Sequence, residues 1–189
     1  MNTVRICLHK VAELTSEEQF AVSALSSNVY PPEEEKAWKK GTSIEWASTQ
    51  WCVVCWGSEK QALSYVGAVI RTGMVNGALV KIGGVRGVKT HTNARRQGLA
   101  SQAIERVFEL FREQAVDFAF LVCEPNLVPL YKRLGWQSFT GDVLVTGVRG
   151  SMERKVALSS WGRLDMGFGD YQNIDITSVP QCPVVPLFE

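Results

Sequence analysis

Apolar and polar residues alternate from the start of the chain. Val4, Ile6 and Leu8 stand against Arg5 and Cys7, a period-two pattern that predicts a strand. Thr15-Ser16-Glu17-Glu18 then forms a capping box, with Thr15 at the cap and Glu18 at the third helical position, and predicts a helix to about Leu25. Tyr30-Pro31-Pro32 breaks it. Pro32 can open a second helix, in which Glu33, Glu34 and Glu35 come before Lys36, Lys39 and Lys40, the charge order that a helix dipole favours. That acidic run reads either as a well-polarised surface face or as a lip attracting a cationic substrate. Trp51–Trp56 and Leu63–Arg71 read as strands around a turn at Gly57-Ser58-Glu59-Lys60, with Gly67 as a bulge or close-approach point. After a hairpin at Gly73–Gly77, Leu79–Thr90 reads as a third strand. Gly83-Gly84 and Gly87 interrupt it and predict bulging or splaying rather than a flat, fully paired ladder.

The period then changes. A helix-compatible run from Gln97 to about Gln114 puts Ala100, Ile104, Val107, Phe108 and Phe111 on one stripe. Phe118–Cys123 is apolar throughout and predicts a strand covered on both faces. Strand, helix and strand in this order imply parallel pairing through a right-handed crossover. A short helix over Leu127–Leu134 ends at Gly135. Trp136–Phe139, Val143–Val148 and Lys155–Leu158 read as further strands. Beyond Ser159 the pattern weakens, with Gly162, Gly167, Gly169 and three prolines after Val179. The class is α/β (α+β). The division is one domain over residues 1–158 and a C-terminal tail, 159–189, packing on it.

Composition narrows the function. A chain of 189 residues, 46% hydrophobic, can bury one sizeable core. A net charge of +1 argues against bulk electrostatic binding to nucleic acid or an anionic membrane. No apolar run has membrane-spanning length, and the first residues lack the apolar core of a secretory signal, so a cytoplasmic protein is expected. Cys7, Cys52, Cys55, Cys123 and Cys182 are an odd set in largely apolar surroundings, which fits reduced thiols. Cys52 and Cys55 have C-x-x-C spacing, but on a strand residues three apart point to opposite faces and cannot share a metal. No metal site is expected.

The densest chemistry lies in residues 85–102. A β-branched run (Val85, Val88, Thr90) meets a basic turn and a helix start. The outward N–H groups of that start and the helix dipole favour an anion. Arg95 and Arg96 add forked, permanently charged donors, and Gly98 removes a Cβ from the path of a ligand. This combination reads as a phosphate or pyrophosphate cradle, or more plainly as a solvated strand–turn–helix joint.

With its partner segment, the pattern resembles the GNAT superfamily of acyl-CoA-dependent N-acetyltransferases. The family's (Arg or Gln)-x-x-Gly-x-(Gly or Ala) signature stands here as Arg95-Arg96-Gln97-Gly98-Leu99-Ala100. Its second segment stands as Asn126-Leu127-Val128-Pro129-Leu130-Tyr131-Lys132-Arg133-Leu134-Gly135-Trp136. The resemblance covers roughly residues 3–148. It implies a GNAT fold, a mixed central sheet of about six to seven strands, splayed between strands 4 and 5 and flanked by about four helices. It implies acetyl-CoA as co-substrate, with a pyrophosphate held by the amides and side chains of Arg95, Arg96, Gln97, Gly98, Leu99, Ala100 and Ser101. The pantetheine arm would pair with the backbone at Val88, Lys89 and Thr90 and bond to Asn126. Tyr131 would be the general acid for the departing thiolate, because a phenol stays protonated at neutral pH. The base that frees the amine is open between Glu124, His91 and the C-terminal carboxylate of Glu189. Glu124 is the first choice, although it also reads as a helix-start cap.

Length and layout resemble most the aminoglycoside 2'-N-acetyltransferases. Trp38 and the Val-x-Gly-Val strand have similar counterparts there. That group carries a glutamate base where this chain has Arg86, a cation that disfavours a polycationic acceptor. The function so implied is acetyl transfer to a primary amine of a small molecule, of which an aminoglycoside-like antibiotic is one candidate. The alternative is a non-catalytic acyl-CoA-binding regulatory module on the same fold. The expected partner is the small-molecule amine, with no nucleic acid and no membrane. Nothing in the sequence decides between a monomer and a homodimer.

Overall fold

The computed structural model describes residues 4–30, 48–75, 78–121, 123, 125–139, 142–144, 158–161 and 173–175. The chain divides into two compact units. One comprises residues 1–42, 49–68 and 87–110, the other 43–48, 69–86 and 111–189.

In the first unit, β1 (Arg5–Lys10) runs antiparallel to β2 (Trp51–Trp56), with Arg5 opposite Trp56 and Lys10 opposite Trp51. β2 in turn pairs antiparallel with the first half of β3 (Ala62–Val75). That ladder is regular at Gly67, which faces Cys52 in register. It slips instead between Cys55, opposite Ser64, and Trp56, opposite Ala62, so Leu63 is the bulged residue. Helix α1 (Ser16–Val29) starts as the capping box predicts. The Glu18 amide donates to Thr15 Oγ1 at 3.2 Å, and the Thr15 amide donates to the Glu18 carboxylate at 2.8 Å. The Thr15 amide, by donating to it, holds the Glu18 carboxyl below its ordinary range. The helix runs four residues beyond the predicted Leu25. Ser26 and Ser27 return their hydroxyls to the carbonyls of Val22 and Ser23, so neither serine breaks it. Leu25, with Ala21, Val22 and Val29, packs on Leu14, Cys52, Val54, Trp56, Ala62 and Tyr65. A fully buried leucine contributes roughly 1.5–3 kcal/mol.

Helix α2 (Leu99–Glu113) buries Ala103, Ile104, Val107, Phe108, Leu110 and Phe111, close to the predicted stripe. It starts two residues later than Gln97 because Gly98 has a φ of +76°.

In the second unit, the first part of β4 (Ala78–Thr90) pairs parallel with β5 (Phe118–Leu121). Ile82, Gly83 and Gly84 lie opposite Phe118, Ala119 and Phe120. All of β5 is buried, as an apolar run in a parallel strand requires. Gly83 and Gly84 are therefore ladder residues and not the interruption that was expected. A Cβ on Gly83 would lie 2.8 Å from the Phe111 ring, so this glycine admits an aromatic rather than a bulge. Of the interrupting glycines only Gly87 has positive φ, +60°. Helix α3 (Val128–Arg133) follows a single 3-10 turn, Pro125–Leu127. β6 (Trp136–Phe139) and β5 both pair antiparallel with β8 (Leu158–Trp161). β7 (Asp142–Leu144) pairs parallel with β9 (Asn173–Asp175), which also pairs with β3. The strand expected at 155–158 thus begins where that reading ended, and the one expected at 143–148 begins one residue earlier.

The architecture is α/β: a five-stranded mixed sheet, β1 to β5, with β4 parallel to β5, and three α-helices among the described residues. The short strands β6 to β9 extend it, so the implied count of about six to seven strands and about four helices is not matched one for one. The helix expected from Pro32, with Trp38, lies outside the described residues.

α2 ends without the usual glycine. Ala115 takes φ +49°, its amide donates to the Arg112 carbonyl at 3.1 Å, and Val116 donates to Phe111 at 2.9 Å. Lys81 completes the end, its ammonium donating to the Gln114 carbonyl at 2.8 Å. Ala115 is exposed, so Ala115→Gly relieves the left-handed strain without loss of packing and should stabilise the fold by about 0.5–1 kcal/mol, read as a higher urea midpoint. Gly83→Ala should destabilise by about 1–3 kcal/mol in the same titration, because the fully buried Phe111 ring has little room to yield.

Candidate active site

The basic turn is built as a sequence of held and open groups. β4 ends at Thr90, and a 3-10 turn, Thr92–Ala94, follows. Ala94 is 5% exposed and Leu99 is 5% exposed, so both ends of the turn are anchored in the core. Between them Arg95, Arg96, Gln97 and Gly98 are exposed. Arg96 has φ +63° and Gly98 φ +76°, with Arg95 extended at φ −65°, ψ +158°. Turns that hold left-handed residues are a recurrent setting for backbone anion sites. The Gly98 carbonyl accepts from the Gln102 amide at 3.0 Å and starts α2, which leaves the first amides of the helix without intrahelical acceptors. Two bonds brace the turn. Arg95 Nε donates to the Thr90 carbonyl at 3.3 Å, and Gln97 Nε2 donates to the Asn93 carbonyl at 3.3 Å. Residues Val88 to Ser101 are thus one continuous strand–turn–helix piece within the first unit.

His91 belongs to the scaffold of this piece. Its Nδ1 accepts from the Asn93 amide at 3.2 Å, and its own amide donates to the Leu63 carbonyl at 2.8 Å. With Nδ1 so engaged, a neutral His91 carries its hydrogen on Nε2, and acting as a base would cost the cap.

The second group of expected residues sits in the other unit. Tyr131, on α3, is 2% exposed, and its ring meets Trp136 edge to face at 5.9 Å. Asn126 is exposed on the 3-10 turn before α3. Arg86 is half-buried on β4. Glu124 and Glu189 lie outside the described residues.

The two strand cysteines are inert. Cys52 is packed in the α1 cluster, while Cys55 points the other way and donates Sγ to the Leu99 carbonyl at 3.7 Å. Burial, with Glu18 nearby, pushes the Cys52 thiol up to about 12. Burial, with Cys7 nearby, pushes Cys55 up to about 11. Among the described residues no group of three or more His, Cys, Asp or Glu side chains could hold a metal ion, and no helix is long and apolar enough to cross a membrane.

One residue beside this piece had no role in the sequence reading. Ser64 is fully buried, and its Oγ lies 3.1 Å from the Lys89 carbonyl and 2.9 Å from Thr90 Oγ1. A hydroxyl inside the apolar run Ala62–Val66 was the signal that could have found it.

Known structures share this architecture. An acyl-CoA N-acyltransferase from Pseudomonas aeruginosa matches with a TM-score of 0.59 and 18% identity, over 85% of this chain and 100% of that one. A GNAT family N-acetyltransferase from Escherichia coli, solved in complex with CoA, gives 0.57 and 16%, over 84% and 82%. A GNAT family acetyltransferase from Brucella melitensis, in complex with acetyl-CoA, gives 0.53 and 13%, over 89% and 95%. Some matching chains are much longer, and this one spans 33% of a GCN5-related N-acetyltransferase from Kribbella flavida. At these identities the likeness is one of fold. No curated protein matches the chain. The family model described as an acetyltransferase (GNAT) domain matches residues 10–139, well over half of the sequence, and the chain belongs to the GNAT acetyltransferase family.

Proposed function

We propose that this protein transfers an acetyl group from acetyl-CoA to a primary amine of a small molecule. The observation that carries the reading is the exposed turn Arg95–Gly98, with left-handed Arg96 and Gly98 and two guanidinium groups, directly before the first amides of α2. In this reading Arg95, Arg96, Gln97, Gly98, Leu99, Ala100 and Ser101 bind the pyrophosphate. The backbone of Val88, Lys89 and Thr90 pairs with the pantetheine amides, as an added strand would, and Asn126 bonds the same arm.

The amine nitrogen must lose a proton before it can form the C–N bond, and the C–S bond breaks as the thiolate departs. Tyr131 gives the thiolate its proton. A phenol is protonated at neutral pH, which fits that task. Glu124 is the first candidate for taking the amine's proton, directly or through water. The Nδ1 cap on Asn93 makes His91 the weaker one.

The acceptor is a neutral or anionic amine rather than a polycation. Arg86, half-buried on β4, puts a cation where the resembling aminoglycoside group carries its glutamate, and like charges repel. An aminoglycoside-like acceptor is for that reason the less favoured choice.

Thiol release from acetyl-CoA against a panel of amines, aminoglycosides, amino acids and polyamines tests the function. Tight acetyl-CoA binding with no turnover on any amine would identify a regulatory module instead. Tyr131→Phe should lower kcat by about 100-fold or more while acetyl-CoA affinity changes less than about twofold; unchanged turnover across the pH range would remove Tyr131 as the acid. Arg95→Ala combined with Arg96→Ala should weaken acetyl-CoA binding about tenfold in calorimetry at low ionic strength. The deficit should shrink as salt rises, since both side chains are exposed.

A further inference from the structure

Two consecutive residues of β3 grip the end of β4 from opposite faces. Tyr65 works on one face. The Lys89 ammonium stands 4.7 Å from the centroid of its ring and donates to Ser26 Oγ at 2.7 Å. A Cβ on Gly87 would lie 3.3 Å from the same ring, so the left-handed glycine fits closely against it. Ser64 works on the other face, next to the bulge at Leu63. Leu63 is the extra residue of the ladder, and its carbonyl is taken by the His91 amide.

Counting hydrogens fixes the direction of the bonds at Ser64. Its hydroxyl has one hydrogen, it is fully buried, and it has two neighbours, the Lys89 carbonyl and Thr90 Oγ1. A carbonyl only accepts, so Ser64 donates to Lys89. The contact with Thr90 then has Thr90 as its donor. The relay runs from Thr90 O–H to Ser64 O–H to Lys89 C=O. Thr90 itself is half-buried, and its carbonyl is engaged by Arg95 Nε at 3.3 Å. What its hydroxyl has left to offer is oxygen lone pairs alone.

We propose that Ser64 is a positioning residue for acyl-CoA. By taking the Thr90 hydrogen it makes Thr90 an acceptor-only group, set to receive an amide N–H of the pantetheine arm lying along β4. This rests on the acetyl-CoA reading above. Ser64 touches no ligand and acts through Thr90 and the Lys89 carbonyl.

The test is calorimetric titration of the full chain and of Ser64→Ala, Thr90→Val, Thr90→Ser and the Ser64→Ala/Thr90→Val pair, with acetyl-CoA and with adenosine 3',5'-bisphosphate, which has no pantetheine arm. Ser64→Ala and Thr90→Val should each weaken acetyl-CoA about tenfold, and the pair should lose no more than about twofold beyond either one, because both break the same relay. Thr90→Ser, which keeps the hydroxyl, should restore binding to within about threefold, and adenosine 3',5'-bisphosphate should bind all four variants as it binds the parent. Full affinity in Ser64→Ala, additive losses in the pair, Thr90→Ser as weak as Thr90→Val, or equal losses with both ligands would each overturn the role of Ser64. Should Ser64→Ala lose its cooperative melting transition, the half-exposed Thr90 pair of variants decides, and a Thr90→Val protein that binds acetyl-CoA fully overturns the relay. A parent chain that fails to bind acetyl-CoA overturns the acyl-CoA reading itself, whereas a parent that binds with indifferent variants removes Ser64 alone.

Discussion

A buried hydroxyl in an apolar strand costs about 1–3 kcal/mol unless it is fully bonded, and the end of β4 is arranged around meeting that demand at Ser64. The hydroxyl is satisfied only if the Lys89 carbonyl and the Thr90 side chain lie where they do. Beside it stand the bulge at Leu63, the left-handed Gly87 and the Tyr65 ring. Each feature alone is a small local irregularity. Together they border one path for the chain from β4 into the turn, and shifting Lys89 and Thr90 along it would strand the buried Ser64 hydroxyl. The register of the strand is therefore specified by polar satisfaction as well as by packing.

The cradle that follows stores strain. Arg96 is a non-glycine residue at φ +63°, a conformation costing about 1–2 kcal/mol. It persists because both flanks are fixed. Ala94 and Leu99 are buried, and Arg95 and Gln97 bond back to Thr90 and Asn93. The turn is thus preformed, and a phosphate bound there does not have to supply the ordering of the loop. A glycine at position 96 would lower the strain, but it would also give the free turn other conformations and remove a guanidinium.

The sequence was informative wherever one residue type has one physical use. The capping box located the start of α1 to the residue, the apolar stripe located α2, and the uniformly apolar run after it located β5. The Arg95–Ala100 signature and its partner around Tyr131 were sufficient for the family. It misled where glycine has two uses. Gly83 and Gly84 were read as a break in the strand, whereas the Phe111 ring requires the missing Cβ at Gly83 and the ladder continues through both. The bulge was expected at a glycine and occurs at Leu63, because bulges are set by the register of the partner strand, and no local signal encodes that. Ser64 was passed over for the same reason. Its significance depends on Lys89 and Thr90, which are near in space and distant in sequence.

The charges in this region divide the work differently from what their number suggests. Arg95 and Arg96 are exposed, so their attraction for an anion is screened over a Debye length of about 8 Å at physiological salt. They favour capture and encounter rate more than final geometry. Lys89 is half-buried, with its ammonium placed on a ring face and a neutral hydroxyl, where interactions are stronger for the same distance. In the acyl-CoA reading proposed above, the precise holding falls to neutral groups, the turn amides, the helix amides and the Thr90 oxygen. Their positions come from backbone conformation and the Ser64 relay and do not change with ionic strength. A site built in this way loses on-rate when salt rises and loses selectivity only when the backbone path is disturbed. That separates the roles of the arginines from the role of the strand that leads to them.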